Sequence, residues 1–177
     1  VETRIAFDLS QTMSVAMREV AEMYLAPGEF RFATCPTRLR TILGSCVAIT
    51  LWHPERRIGG MCHFMLPSRM RCSKALNGMY ADEAIELFLR QAKAHHTEPE
   101  DYQLKLFGGG EMFPELQRHV PYGDVARMNV NAALEIAALY RLDLIAQDMG
   151  STGHRSIIFD LCSGDVWVRH QPIRTRH

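Results

Sequence analysis

The sequence predicts a single-domain α/β fold. Segments with apolar residues at helical spacing alternate along the chain with short runs of β-branched and apolar residues, and Gly and Pro separate the two kinds of segment. No internal repeat or low-complexity tract interrupts this alternation. The length of 177 residues is typical of one domain. A chain of this length buries about two thirds of the surface that its unfolded form exposes, so it needs no covalent link to fold.

The chain is predicted to begin with an amphipathic helical extension over residues 1–24, followed by the domain itself over residues 25–177. The helix covers residues 10–24, where apolar side chains recur at helical spacing and a Ser or Thr can cap the N-terminus. A Pro-Gly pair then ends this segment, and residues 30–34 alternate in the manner of a short strand.

Two adjacent strands are predicted over residues 39–52 and 58–66, because both stretches are rich in β-branched and apolar residues and a polar turn separates them. Gly44 and Ser45 interrupt the first of these strands. A glycine inside a strand pattern usually marks a bulge or a close approach of another backbone, so we expect irregular structure at this point.

The second half of the chain continues the alternation. Amphipathic helices are predicted over residues 80–95 and 127–140, the first with acidic residues in its first turn. Strands are predicted over residues 101–107 and 142–146, and a hairpin turned at residues 163–165 ends the chain.

Composition excludes several classes of partner. Lys plus Arg equals Asp plus Glu at 20 each, so the formal charge is zero and offers no field to attract nucleic acid or an anionic membrane. No apolar run approaches the roughly 18 to 20 residues of a membrane span, and the start lacks the pattern of a signal peptide. We expect a soluble cytoplasmic protein with no nucleic-acid partner and no membrane insertion.

The cysteine pattern predicts reduced thiols and no metal site. The five cysteines are an odd number without the spacing of a secreted disulfide scaffold, and no C-x-x-C pair is present. A cluster around His63 has separations too irregular for a structural zinc. Inert packing in the core is expected for Cys35, Cys62, Cys72 and Cys162.

Cys46 and His63 form the candidate catalytic pair. A thiol with an ordinary pKa of about 8.5 is only slightly ionised at neutral pH, so a nucleophilic cysteine needs a partner such as histidine. Adjacent strands lie about 5 Å apart, and a suitable register would bring these two side chains together. The irregular backbone at Gly44 and Ser45 can supply N–H groups for an oxyanion hole. The pattern indicates acyl transfer, although a cysteine or histidine taken alone is more often a packing residue.

Two further loops resemble anion sites, but simpler roles are favoured. Residues 108–110 are all glycine, yet they lack both the Lys-Ser/Thr continuation and the G-x-G-x-x-G spacing of nucleotide-binding loops. We predict a loop that another backbone approaches closely. In residues 148–155, a turn held by Asp148 is favoured over anion binding by Arg155.

Motifs along most of the chain match one family in order. The central ones are Leu-Gly-Ser-Cys46-Val-Ala and Gly-Gly-Met-Cys-His63-Phe-Met-Leu-Pro. Together with the others, which span residues 24–169, they resemble the chemoreceptor glutamine deamidase CheD family. The other matching motifs are Ala26-Pro-Gly-Glu29, Tyr80-Ala-Asp-Glu-Ala84, Phe107-Gly-Gly-Gly-Glu-Met-Phe113, Asn129, Asp148-Met-Gly150, Arg155, Phe159-Asp160 and Gly164.

This resemblance implies a three-layer α/β/β sandwich with mixed sheets that converts glutamines of methyl-accepting chemotaxis receptors to glutamate, releases ammonia and uses no cofactor. Cys46 would attack the carboxamide carbon, and His63 would act first as base and acid and then as base for water. The family also assigns a role to a threonine six residues before its cysteine, where this chain has Arg40. Thr41 is the nearest match, and it faces the site only if a local irregularity offsets the one-residue shift.

Three alternative functions fit the same motifs. Hydrolysis of receptor glutamate methyl esters would pass through the same thioester intermediate. A binding module that regulates a CheC-type phosphatase, a partner that the resemblance implies, would not need the nucleophile. A thiol hydrolase or transferase acting on an unrelated amide is the third alternative.

Overall fold

The computed structural model describes residues 19–69, 75–113, 115 and 124–173, which form two β-sheets, two α-helices and one short 3₁₀ helix. The sheets have the strand orders β1-β3-β8-β9 and β2-β5-β4-β6-β7. The elements in chain order are β1 (Ala21–Tyr24), β2 (Phe30–Thr34), β3 (Thr37–Leu43), β4 (Val47–His53), β5 (Ile58–Phe64), α1 (Ala81–Ala94), the 3₁₀ helix (Pro99–Asp101), β6 (Gln103–Gly108), α2 (Val125–Leu139), β7 (Asp143–Met149), β8 (His154–Asp160) and β9 (Val166–Gln171).

The five-stranded sheet is covered on both faces. In β4, Val47, Ile49 and Leu51 pack into a core cluster that contains buried residues from both helices. Ala48, from the same strand, belongs to a second cluster that contains buried residues of β3 and β8. Successive strand residues point to opposite faces, so one face of this sheet packs against the helices and the other against the four-stranded sheet. This confirms the α/β class and is compatible with the three-layer arrangement.

The interruption at Gly44 and Ser45 proves to be a change of sheet. It divides the predicted strand at residues 39–52 into β3 and β4, which belong to different sheets. The predicted neighbours β4 and β5 are antiparallel partners, with Ala48 opposite His63. The other confirmed predictions are the helices at 80–95 and 127–140, the strands at 30–34, 101–107 and 142–146, and the terminal hairpin.

The helix predicted over residues 10–24 is wrong at its end. Ala21–Tyr24 form β1, which pairs in parallel with β3 at the edge of the four-stranded sheet. All four side chains of β1 are exposed, so burial does not select a helical period here and backbone pairing with β3 determines the conformation. The rest of the predicted extension, up to residue 18, lies outside the described residues.

The prediction of reduced, unpaired thiols is wrong for Cys35 and Cys162, which form a disulfide with their Cα atoms 4.7 Å apart. The two cysteines are 127 residues apart in sequence, and the antiparallel pairing of β3 with β8 brings the start of one strand next to the end of the other. Cys62 is buried and free, as predicted, and Cys72 lies outside the described residues. Among the described helices, none is long and apolar enough to cross a bilayer.

Replacing one partner of the disulfide is expected to destabilise the oxidised protein. We expect Cys35→Ser to lower the free energy of unfolding by about 2–5 kcal/mol, because the cross-link restricts the unfolded chain. Denaturant unfolding without reductant measures this. Cys162→Ser should give the same decrease and the double variant no further loss, while an excess of dithiothreitol should abolish the difference. Equal stability of the oxidised wild type and Cys35→Ser would contradict the pairing.

Candidate functional site

Cys46 lies in the bend at residues 44–46, where the chain passes from β3 in one sheet to β4 in the other. The carbonyl of each residue in this bend accepts a hydrogen bond. Two of the donors belong to the glycine loop after β6 and the third to α2, so three separate segments position the cysteine. The bonds are Gly110 N–H to Gly44 O (2.8 Å), Asn129 Nδ2 to Ser45 O (3.0 Å) and Gly109 N–H to Cys46 O (2.7 Å).

The triglycine segment is the close-approach loop that the sequence predicted. A Cβ atom at Gly108 would overlap the carbonyl oxygen of Cys46, and one at Gly109 would overlap the side chain of Val130. Both glycines also adopt positive φ angles, of 107° and 64°, which L side chains rarely adopt. Only glycine therefore allows this loop to hold the bend from so short a distance.

The carbonyls of the bend all accept hydrogen bonds, but its backbone N–H groups differ. In the part of the chain that the structure describes, the amides of Ser45 and Cys46 have no hydrogen-bond acceptor. These two donors adjoin the Cys46 side chain. Uncommitted backbone donors beside a nucleophile are what an oxyanion hole requires.

His63 lies in β5 and is almost completely buried, at 1% exposed. Its Nδ1 atom is 2.8 Å from the hydroxyl oxygen of Thr41, which lies on β3 in the opposite sheet. The same hydroxyl is 2.8 Å from the carbonyl oxygen of Leu25. The structure thus brings together two of the three residues predicted to be catalytic, through a contact between the sheets.

Thr41 faces inward through the regular alternation of β3. Leu39, Thr41 and Leu43 are buried, while Arg40 is exposed and forms an ion pair with Glu22 at 2.9 Å. The sequence required a local irregularity for Thr41 to face the site, and that irregularity is the bend at residues 44–46. The bend does not have strand conformation. Counting alternate residues back from Cys46 therefore does not show to which side of the sheet the side chains of β3 point.

The hydrogen bonds around Thr41 determine which nitrogen of His63 carries the proton. A carbonyl can only accept, so the single hydroxyl proton of Thr41 is donated to Leu25 O. Nδ1 of His63 must then be the protonated nitrogen and donate to the Thr41 oxygen. This leaves a lone pair on Nε2, which is buried and has no hydrogen-bond partner among the described residues. An imidazole in this tautomer can accept a proton at Nε2.

Burial keeps both candidate groups uncharged. Desolvation lowers the pKa of His63 to about 4, although the nearby backbone carbonyl of Leu25 acts in the opposite direction. Burial also raises the pKa of the Cys46 thiol above its ordinary value. At neutral pH the resting pair is therefore a thiol and a neutral imidazole, and proton transfer between them must accompany the attack on a substrate.

The strand register and the core packing show on which side of the five-stranded sheet Cys46 and His63 lie. His63 is opposite Ala48 in the register, and Cys46 packs against the buried cluster that contains Ala48, so both residues lie on the side of the sheet that packs against the four-stranded sheet. Cys46 is a free thiol, and among the described residues its sulfur is not a hydrogen-bond partner of His63 Nε2. Catalytic hydrogen bonds in substrate-free enzymes often tighten only when substrate binds.

Sequence reasoning gave no role to Asn129, which matched the family only by position. Asn129 is completely buried, and its Nδ2 atom donates to Met65 O at 2.8 Å as well as to Ser45 O. The signal available in the sequence was a polar residue on the apolar face of a helix, because such residues persist only where they are hydrogen-bonded.

Arg155 has a structural position beneath the glycine loop. It is 1% exposed, and its Nε and Nη2 atoms donate to the carboxylate of Asp148 at 3.0 and 2.9 Å. This ion pair compensates the charge of Arg155, which argues against the anion-binding alternative. The guanidinium lies beside Gly110, so the pair supports the loop that holds the Cys46 bend.

Comparison with known proteins agrees with the motifs. The family model described as "CheD chemotactic sensory transduction" matches residues 65–170. A Pseudomonas fluorescens (strain SBW25) protein named "Probable chemoreceptor glutamine deamidase CheD" is 65% identical over 152 residues, 86% of each chain. A Pseudomonas savastanoi pv. phaseolicola protein of the same name is 66% identical over 155 residues, 87% of each chain. A more distant relative, "CheD 1" of Leptospira interrogans, is 35% identical over 156 residues, 84% of this chain and 92% of its own.

The pH dependence of thiol alkylation tests the uncharged pair. We expect the rate at which iodoacetamide modifies Cys46 in substrate-free protein to keep rising from neutral to alkaline pH, because the thiolate reacts and burial raises the thiol pKa. Mass spectrometry of the Cys46 peptide gives the rate, and Cys62, which is buried and donates to Gly78 O, is the unreactive internal control. A rate already constant near neutral pH would instead indicate a thiolate–imidazolium pair.

Proposed function

This chain belongs to the CheD family, and on that premise we propose that it is a protein-glutamine deamidase that converts glutamine side chains of chemoreceptors to glutamate. One observation carries the assignment of roles. The Thr41–His63 hydrogen bond leaves Nε2 of His63 able to accept a proton, on the side of the sheet where Cys46 packs against the core.

In the first half of the reaction, Cys46 is the nucleophile. His63 Nε2 takes the proton of the thiol as the sulfur attacks the carboxamide carbon of the substrate, which forms a C–S bond and a tetrahedral intermediate. The negative oxygen of that intermediate would be bound by the amides of Ser45 and Cys46, on the backbone that begins at Gly44. Collapse of the intermediate breaks the C–N bond. His63 gives its proton to the departing nitrogen, and ammonia leaves.

The second half of the reaction hydrolyses the thioester. Water attacks the acyl carbon and loses a proton to Nε2 of His63. The C–S bond then breaks, and the proton returns to the sulfur of Cys46. The products are a glutamate side chain and the original thiol, and the sequence of steps needs no metal and no cofactor.

Thr41 is the residue that would hold His63 in the reactive tautomer. Its oxygen accepts from Nδ1 while its proton is donated to Leu25 O, so the ring is oriented at one nitrogen, and the other has no partner in the described part of the chain. When His63 carries the transferred proton, the same oxygen can stabilise the imidazolium through the Nδ1 hydrogen bond.

Exposed apolar side chains next to the site favour a protein partner. Leu66, Phe113 and Met128 are exposed, and they lie close in sequence to Met65, the glycine loop and Asn129, respectively. Apolar groups exposed together commonly mark protein interfaces. We propose that they help to bind the receptor segment and that a CheC-type phosphatase, the partner that the family resemblance implies, uses the same surface.

We propose a cytoplasmic location, in which the catalytic thiol remains reduced. Disulfides are rare in this compartment, so the Cys35–Cys162 pair is expected to be a dithiol there and a disulfide after oxidation.

Mass spectrometry of a chemoreceptor cytoplasmic fragment tests the activity. Wild-type protein should convert glutamine to glutamate, and Cys46→Ala and His63→Ala should each reduce the rate by roughly 100-fold or more. His96→Asn, which changes an exposed histidine after α1, is the matched control and should retain full activity.

The product mass also separates the alternatives. Exchange of NH₂ for OH raises the mass of the peptide, whereas hydrolysis of a methyl ester lowers it. No conversion by folded wild-type protein, together with phosphatase binding that survives Cys46→Ala, would contradict the deamidase proposal and indicate a regulatory binding module. Conversion of an unrelated amide alone would indicate a different hydrolase.

Removal of the Thr41 hydroxyl should reduce activity without unfolding the protein. We expect Thr41→Val to lower kcat by roughly 10- to 100-fold, because Nδ1 of His63 loses its acceptor, while Thr41→Ser retains most activity. Thr50→Val is the matched control, since Thr50 is equally buried and its hydroxyl donates to Lys105 O at 3.2 Å. Equal kcat values for the two valine variants would contradict the role of Thr41.

A further inference from the structure

We propose that Asn129 is a positioning residue that sets the distance between the nucleophile and the base, an inference that rests on the proposed function of Cys46 and His63. Asn129 is on α2, which belongs to neither sheet. Its amide group bridges the two segments on which the candidate pair is carried.

The bridge uses both hydrogens of the amide nitrogen. Nδ2 of Asn129 donates to Ser45 O at 3.0 Å and to Met65 O at 2.8 Å. Ser45 immediately precedes Cys46, and Met65 is two residues after His63. A primary amide has two N–H donors on one atom, and among side chains only those of Asn and Gln offer this group without a charge.

The position of this bridge is where β4 and β5 separate. Their last paired residues are Val47 and Phe64, and beyond them one segment turns towards β3 while the other leaves the sheet. We call this point of separation, which lies between the carbonyls of Ser45 and Met65, the fork of these strands. These part-buried carbonyls lie beyond the end of the ladder and need another donor, and a single side chain supplies it to both. Because the donor is shared, it also limits how far the two segments can move apart.

The packing around Asn129 allows it to act as a rigid spacer. The side chain is completely buried, and the neighbouring Val130 packs against the glycine loop that holds the bend from its other side. The remaining amide atom, Oδ1, is buried without a partner among the described residues. A buried polar atom left unsatisfied is unusual in native structures. The amide is therefore placed for its two donor contacts, at the expense of the acceptor.

The test compares variants at Asn129 with the same changes at Asn131, an exposed asparagine two residues further along α2. Asn129→Asp retains the size but removes the donors, Asn129→Leu removes all polar atoms, and Asn129→Ala leaves room for water to bridge the fork. We expect kcat for receptor deamidation to fall by roughly 10- to 100-fold for Asp and Leu, and less for Ala, with KM changed by less than about threefold. The Asn131 variants should match wild type.

A second measurement needs no receptor. The rate of Cys46 alkylation and its pH profile, measured on substrate-free protein, should change in the Asn129 variants and not in the Asn131 variants, because a displaced bend alters the surroundings of the thiol. Unchanged kcat and alkylation in folded Asn129 variants would overturn the inference. It would also be overturned if all three Asn129 variants unfolded while the Asn131 variants folded, because the amide would then be a folding determinant only. If wild-type protein deamidates no receptor, the proposed function fails, and the alkylation measurement still decides the role of Asn129.

Discussion

A hydrogen bond that crosses between the two β-sheets, from His63 to Thr41, determines what the rest of the site can do. The imidazole is on one sheet and the hydroxyl on the other, so the packing of the sheets sets the orientation of the ring. The carbonyl of Leu25 takes the proton of Thr41 and thereby selects the tautomer of His63. The packing of the two sheets therefore determines which nitrogen of His63 can take part in proton transfer.

Thr41 and His63 lie in regular strands, whereas the proposed nucleophile, Cys46, lies in an irregular bend between strands. Such a bend has no ladder to satisfy its backbone, and the three carbonyls are instead bound by the glycine loop and by Asn129. The ion pair of Arg155 with Asp148 lies beneath that loop. Contacts from several distant segments hold the carbonyls of the bend, while the amides of Ser45 and Cys46 have no acceptor among the described residues. A regular strand at this position would have used those donors in the sheet.

Burial explains why the site is uncharged at rest. Transfer of the imidazole and the thiol into the space between the sheets disfavours their charged forms, which lowers the pKa of His63 and raises that of Cys46. Charge then develops only as the reaction proceeds, where the backbone donors and the Thr41 oxygen can stabilise it. The low polarity of this space also strengthens those interactions relative to water.

Local patterns in the sequence by themselves determined the α/β class, both helices and most strands, because each depends on the periodicity of neighbouring residues. They also identified Cys46 and His63 as a candidate pair, since the motifs around them are contiguous. Only the tertiary structure decided that residues 21–24 form a strand and that Cys35 meets Cys162. The tertiary structure was also needed to show that the Thr41 side chain points towards His63 and that Asn129 bridges two segments. These features depend on pairing and packing between segments far apart in the chain, and no local period encodes such contacts.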